Sequence, residues 1–122
     1  MGIKSSLKHI RDEYVRKQAE GVTLPDFKSS PVIRVKNIFS GRVQKVGFRH
    51  ELTLLADRLG ITGYAVNLEN GDVEAVMQGE EEKIRFIQSF MKSLIRIKVK
   101  SMSEEILQVV DNEKTFSSDR NK

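Results

Sequence analysis

The sequence predicts an α+β domain in which two helices pack on one face of an antiparallel sheet. Two observations predict this class. The residues Val32–Phe39 alternate between apolar and polar, and a helical apolar period begins at Phe48. The same change from strand to helix then recurs in the second half of the chain. A chain of 122 residues has room for one such domain with short extensions.

The first strand and the first helix follow from these two periods. Ile33 and Val35 fall on one face of the strand, with basic residues on the other. The helix places its apolar residues at spacings of three and four, and Gly60 follows where a helix ends in a left-handed residue. The apolar helix positions are Phe48, Leu52, Leu55, Ala56 and Leu59.

A hairpin is predicted next, with strands at Tyr64–Asn67 and Asp72–Met77. The Asn70-Gly71 pair supplies the positive φ angles that a tight hairpin needs. We expect Gly79 to end the second of these strands.

The second helix is predicted to begin at Glu80–Glu82, because negative charge stabilises a helix N-terminus. Ile95–Val110 then returns to strand character, and a short last strand near Lys114–Ser117 is expected at a sheet edge. The order β-α-β-β-α-β with an added edge strand predicts a ferredoxin-like sandwich. The buried stripe of the second helix is Ile84, Ile87, Phe90, Met91 and Leu94.

The flanks of this domain have a different composition. Apolar residues recur at helical spacing in Met1–Glu20, which predicts an added amphipathic N-terminal helix that packs on the domain or a partner and is a route to self-association. The segment lacks a secretory signal, and its acidic residues argue against a transit peptide, so we expect a cytoplasmic protein. Gly21–Pro31 has the composition of a linker. The expected division is residues 1–31, a domain at 32–117 and a solvated tail at 118–122.

Composition excludes several classes of site. The chain has no cysteine, which removes disulfides, iron–sulfur clusters and thiolate metal sites, and only two histidines, His9 and His50. We therefore expect no metal and no cofactor. No apolar run reaches the roughly 20 residues needed to span a bilayer. A formal net charge of +4 is compatible with an anionic ligand.

The connection Ser40–Arg49 is the candidate site. It joins a strand to a helix N-terminus, where backbone N–H groups lack intrahelical partners and favour anions. Its charged residues are all basic: Arg42, Lys45 and Arg49. Arg49 can present a planar fork to two phosphate oxygens. A loop whose basic side chains simply face water is the alternative explanation.

Two motifs resemble those of the acylphosphatase family. Gly41–Arg49 is similar to its Gly-x-Val-Gln-Gly-Val-x-Phe-Arg signature. Gly63–Asn67, followed by Gly71–Glu74 and a Gln-Gly pair, is similar to its second motif, and 18 positions separate Arg49 from Asn67 as in the family. The resemblance covers Val32 to about Ser117.

The resemblance implies metal-free hydrolysis of small acyl phosphates to carboxylate and inorganic phosphate. Arg49 would bind the phosphoryl oxygens, and Asn67 would position the attacking water. Phosphate or sulfate would bind as a product-like ligand, and a monomer is expected. The implied phosphate-binding loop is Gln44, Lys45, Val46, Gly47 and Phe48. His50 receives no role, and an Asn beside a hairpin can equally serve only its turn.

Lys45 departs from the family, which has glycine there. Three outcomes are open. The backbone keeps its shape under strain while the ammonium attracts phosphate, the site shifts and loses activity, or the position needs no positive φ. We expect activity to be retained, at a full or a reduced rate.

Functions of other classes remain open as well. One is a catalytically weakened binding or interaction module on the same scaffold. Another is RNA binding, which shares the β-α-β-β-α-β order, although the candidate central strands carry only Phe39 as an aromatic residue, so no nucleic-acid partner is expected. A metal chaperone would need thiolates, which the chain lacks.

Overall fold

The computed structural model describes residues 21–118, which form two helices and one five-stranded sheet. The sheet order is β4-β1-β3-β2-β5, antiparallel except for the parallel pair β2–β5. The predicted ferredoxin-like α+β fold is confirmed, and the N-terminal helix lies outside the described residues. The elements are β1 (Val32–Arg42), α1 (Phe48–Leu59), β2 (Thr62–Asn67), β3 (Val73–Glu80), α2 (Glu81–Ser93), β4 (Lys98–Leu107) and β5 (Phe116–Ser117).

The core lies between one face of the sheet and the two helices. Alternate residues of the strands point to this face, as the pleat requires. Burying a valine, leucine, isoleucine, methionine or phenylalanine side chain in this core stabilises the fold by roughly 1.5–3 kcal/mol. Fully buried members include Val35 and Phe39 of β1, Met77 of β3, Leu52 and Leu55 of α1, and Ile84, Ile87 and Met91 of α2.

Helix α1 begins and ends where its sequence predicts. Gly47 precedes it with φ 83° and Gly60 follows it with φ 70°, both in the left-handed region that glycine adopts without a Cβ penalty. The Gly60 N–H donates to carbonyl oxygens of the last turn. These two glycines set the direction of the chain into and out of the helix.

The structure corrects the predicted end of β3. Gly79 does not end the strand, because it pairs with Ile33 of β1 and the strand runs to Glu80. A Cβ at Gly79 would lie 2.4 Å from Cδ1 of Ile61. Its φ of 157°, which residues with a Cβ rarely adopt, together with close packing on Ile61, rather than a break in the strand, therefore accounts for this glycine.

Three other expectations need correction. Ile95 is 91% exposed, because β4 begins only at Lys98 and the preceding residues form a bend. In α2, Phe90 is only half-buried, and Gln88 is buried. In the hairpin, Gly71 has a positive φ of 99° but Asn70 does not. The Asn70 side chain instead accepts a hydrogen bond from the Asp72 N–H.

The segment of linker composition, 21–31, lies on the helical layer without forming a helix or strand. Leu24 and Phe27 pack against the core, and the Phe27 ring meets Phe86 edge to face at 5.6 Å. The Ser30 hydroxyl and the Pro31 carbonyl accept hydrogen bonds from the first N–H groups of α2. The segment therefore caps that helix.

Within residues 21–118, neither helix has the length and hydrophobicity that crossing a membrane would require.

Candidate active site

The loop between β1 and α1 is anchored at both ends. Val43 and Phe48 are each 1% exposed, and the Phe48 ring packs on Phe39 with centroids 4.8 Å apart. Lys45, in the middle, is exposed. The loop is thus held by its apolar residues while its backbone stays at the surface. Phe39 is wholly buried and offers no stacking surface for a nucleotide base.

Lys45 takes the left-handed conformation that the glycine of the resembling motif would take. Its φ is 64°, and Gly47 has φ 83°, whereas Val46 between them has no positive φ. This alternation turns successive N–H groups toward one side, where they can bind an anion. For a residue with a Cβ the conformation costs about 1–2 kcal/mol. The outcome in which position 45 needs no positive φ is therefore wrong.

Gln44 ties the loop to the β2–β3 turn. Its side-chain amide donates to the carbonyls of Leu68 and Asp72, both at 2.8 Å. Leu68 directly follows Asn67, so these bonds hold the end of β2 against the loop. Sequence reasoning gave Gln44 only a backbone role and missed this side-chain function.

Arg49 lies in the first turn of α1, and its Nη1 donates to the carbonyl of Ser118 at 2.7 Å. Ser118 follows β5, in which Ser117 pairs with Tyr64 of β2. The guanidinium is therefore held at the β2–β5 edge of the sheet. Ser118 belongs to the stretch predicted as a solvated tail, and it instead contributes an acceptor to this contact.

Asn67 is the exposed last residue of β2. It pairs with Val73, which belongs to the buried core between sheet and helices. Residues directly opposite share a face of the sheet, so Asn67 faces the helical side. The loop, Arg49 and Asn67 therefore lie at one end of the sheet and on the same side of it.

An ion pair between the partly buried Arg96 and the buried Glu51 supports the loop. Arg96 Nε donates to the Val46 carbonyl at 2.9 Å, and its Nη2 pairs with the Glu51 carboxylate. Because a trans peptide points its C=O and N–H in opposite directions, fixing the Val46 oxygen also fixes the Gly47 N–H. Nothing in the local sequence signals this contact, since Arg96 and Val46 are 50 residues apart.

Burial raises the pKa of Glu51, whose side chain is completely buried, and the hydrogen bond and charge of Arg96 offset part of that rise. Removing Arg96 would leave this carboxylate buried without its cationic partner. Such an isolated charge is much more costly than a complete pair or an apolar replacement of both residues.

We expect Arg96→Leu to lower the free energy of unfolding at pH 7 by about 3 kcal/mol. When folding raises the pKa of a carboxyl, the protein loses stability as the pH rises above the pKa of that carboxyl in the unfolded chain, near 4.5. The difference from wild type should therefore be smaller at pH 4 and grow toward pH 7. Urea denaturation across this range measures it. The control Glu51→Leu/Arg96→Leu should recover most of the loss, and an equal loss in both variants would contradict the buried-charge explanation.

Among residues 21–118, no three carboxylate or imidazole side chains are grouped so that they could hold a metal ion. The cations at the site are Arg49 and the loop residue Lys45, and the neutral groups are backbone N–H groups and the Asn67 carboxamide. This set can bind and orient a phosphoryl group by charge and hydrogen bonds.

Comparison with known proteins gives consistent matches. The family model described as Acylphosphatase matches residues 35–118. An acylphosphatase of Clostridium beijerinckii is 42% identical over 87 residues, which cover 70% of this chain and 97% of the relative. The crystal structure of acylphosphatase from Bacillus subtilis has a TM-score of 0.66 and 28% identity, covering 70% of this chain and 97% of that one. The structure of an acylphosphatase from Coxiella burnetii has a TM-score of 0.65 and 30% identity, covering 71% and 92%.

Proposed function

Because the chain belongs to the acylphosphatase family and is an acylphosphatase, we propose that Arg49, Asn67 and the N–H groups of Gln44–Phe48 carry its catalysis. The observation that carries this proposal is the backbone of the loop, where left-handed residues at positions 45 and 47 turn N–H groups to one side just before Arg49. The substrates are small acyl phosphates, the class on which the family acts.

The reaction requires little help from groups that transfer protons. The oxygen of a water molecule attacks phosphorus, the bond between phosphorus and the acyl oxygen breaks, and the carboxylate leaves with the bonding electrons. A carboxylic acid has a pKa of about 4, so this leaving group needs no general acid. The proton of the attacking water passes to solvent. What remains is alignment and stabilisation of charge on the phosphoryl oxygens.

Arg49 supplies the positive charge in this proposal. A guanidinium has five N–H donors in a planar fork. One Nη1 hydrogen is used on the Ser118 carbonyl, which leaves the other donors for two phosphoryl oxygens. Because the hydrogen bond to Ser118 already restricts the guanidinium, this group loses less conformational freedom when substrate binds. The loop amides contact the same phosphoryl group from the other side.

Asn67 orients the water. Its carboxamide oxygen can accept one hydrogen bond from the water and so direct a lone pair toward phosphorus. A neutral acceptor suits this place, because a carboxylate would repel the phosphate dianion. Every group in the mechanism comes from one chain, so we propose that the enzyme is active as a monomer.

Turnover of benzoyl phosphate by the full chain, followed in the presence of EDTA, tests the proposed function. We expect saturable hydrolysis that the chelator leaves unchanged. The weakened binding module is the other candidate, favoured by the lysine in the loop. It would show inorganic phosphate shifting the amide resonances of Gln44–Phe48 with no turnover above the uncatalysed rate, and that result would contradict the enzymatic mechanism.

Lys45→Gly separates the strain in the loop from the charge of its side chain. Glycine adopts positive φ without a Cβ penalty but has more freedom when unfolded, so we expect a free energy of unfolding about 0.5–1 kcal/mol higher. KM for benzoyl phosphate should rise about two- to threefold, because the ammonium that attracts the dianion is gone. kcat should stay within about twofold.

The matched variant is Lys45→Gln, which removes the charge and keeps the Cβ. It should show the same KM rise without the gain in stability. A kcat at least tenfold higher in Lys45→Gly alone would mean that the lysine displaces the loop amides, which contradicts retained geometry.

A further inference from the structure

A cavity lined by cations lies at the same end of the sheet as the loop between β1 and α1, on the face opposite the helices. Its volume is about 630 Å³, and three cations line it: Arg42, Lys98 and Lys100. Val99, between the two lysines, packs against the core under the helices. The lysines therefore point to the other face of β4.

A break in the β1–β4 register shapes this cavity. Ser40 pairs with Ser101 and Gly41 with Val99, so Lys100 has no partner on β1. Such a bulge increases the local twist and redirects side chains. Gly41 lets the strands approach here, because a Cβ on it would lie 2.1 Å from the Lys98 carbonyl oxygen. The backbone is therefore built to bring Lys98 and Lys100 to one concavity.

The charges in the cavity do not balance. Arg42 lies directly opposite Lys98 in the ladder, an arrangement of like charges that destabilises a sheet. Asp72 also lines the cavity, and its carboxylate, which accepts a hydrogen bond from the Asn70 amide at 3.2 Å, offsets one of the three positive charges. Within residues 21–118, none of the ion pairs includes Arg42, Lys98 or Lys100.

We propose that this cavity is a second anion site, distinct from the catalytic loop, which binds the phosphate group of a small phosphorylated molecule. Three cations and one carboxylate give the lining a net charge of +2, which matches a dianion, and the volume exceeds that of inorganic phosphate and accommodates a small organic molecule. The Gln44 side chain bonds to Leu68 and Asp72 between the loop and the cavity. We expect the two sites to bind phosphate independently.

Titration of the ¹⁵N-labelled full chain with inorganic phosphate and with pyrophosphate tests this proposal. We expect two groups of saturating shifts, one at Gln44–Phe48 and one at Gly41, Gly71 and Lys100. In Lys98→Gln/Lys100→Gln the second group should weaken at least tenfold in affinity, and the first should stay within twofold. Both lysines are exposed, and the variant removes the repulsion between Arg42 and Lys98, so its melting temperature should be no lower than that of wild type.

The matched control is Lys28→Gln/Lys92→Gln, which removes the same charge from exposed sites away from the cavity. It should leave both groups of shifts within twofold of wild type. The proposal is overturned if wild type shows no saturable shift at Gly41 and Gly71, or if both double variants weaken it equally. It is also overturned if the cavity variant changes kcat/KM for benzoyl phosphate more than threefold, since the cavity would then belong to the catalytic site.

Discussion

Arg49→Ala should lower kcat/KM for benzoyl phosphate by at least about a thousandfold. Removing one preorganised donor from a charged transition state costs about a hundred- to a thousandfold. Arg49 supplies at least two such donors together with a full positive charge. Removing it should therefore lower the rate by at least the upper limit of this range. The expected loss is in both kcat and phosphate affinity, because the guanidinium contacts the phosphoryl group in the bound substrate as well as in the transition state.

Two variants control this experiment. Arg49→Lys keeps the charge but not the planar fork, and it should recover only a small part of the lost activity. Arg58→Ala removes another arginine of α1, from the opposite end of that helix, where it donates to the Val22 carbonyl. It should leave kcat/KM within about twofold. Arg49→Ala retaining a tenth of wild-type activity would contradict the role given to Arg49.

Asn67→Ala should lower kcat by about a hundred- to a thousandfold while phosphate binds almost normally. Asn67 is proposed to hold the water and not the phosphoryl group, so the inhibition constant of inorganic phosphate should change by less than about threefold. Steady-state kinetics with phosphate as inhibitor give both numbers. This separation of kcat from phosphate affinity is what distinguishes Asn67 from Arg49.

Asn70→Ala is the matched control, because it removes a second asparagine of the same hairpin. Asn70 bonds to Asp72 within the turn, so we expect at most a small loss of stability and near-normal kcat. Equal loss of phosphate affinity and kcat in Asn67→Ala would contradict the water-positioning role.

The regular elements could be predicted because their signals are local. The apolar spacing from Phe48 to Leu59 and the glycine at position 60 specify α1 without reference to the rest of the chain. Even the two-residue strand β5 falls inside its predicted range. The predictions for Gly79 and Ile95 are wrong because pairing with β1, which is distant in sequence, sets where β3 ends and β4 begins. Gly79 pairs with Ile33 of β1 within the strand, and the late start of β4 leaves Ile95 in a bend.

The candidate site also has a part that could be predicted from the sequence and a part that could not. The proposed site residues, the loop with Arg49 and Asn67, follow from two motifs that resemble those of the acylphosphatase family. The contacts that support them could not be predicted. Arg96 reaches the loop across 50 positions, and Arg49 reaches Ser118 across 69. No periodicity or motif in the sequence indicates such contacts. The sequence did identify Lys45 as a departure, but only its φ of 64° excludes the outcome in which this position needs no positive φ.

Hydrolysis of benzoyl phosphate in H₂¹⁸O tests most directly whether the loop and Arg49 hold phosphorus for attack by water. Attack at phosphorus places the label in inorganic phosphate, and mass spectrometry of both products measures its position. We expect one ¹⁸O atom in the phosphate and none in the benzoate for each enzymatic turnover. Label in the benzoate would mean that water attacks the acyl carbon, and the roles assigned to Arg49 and Asn67 would then be wrong.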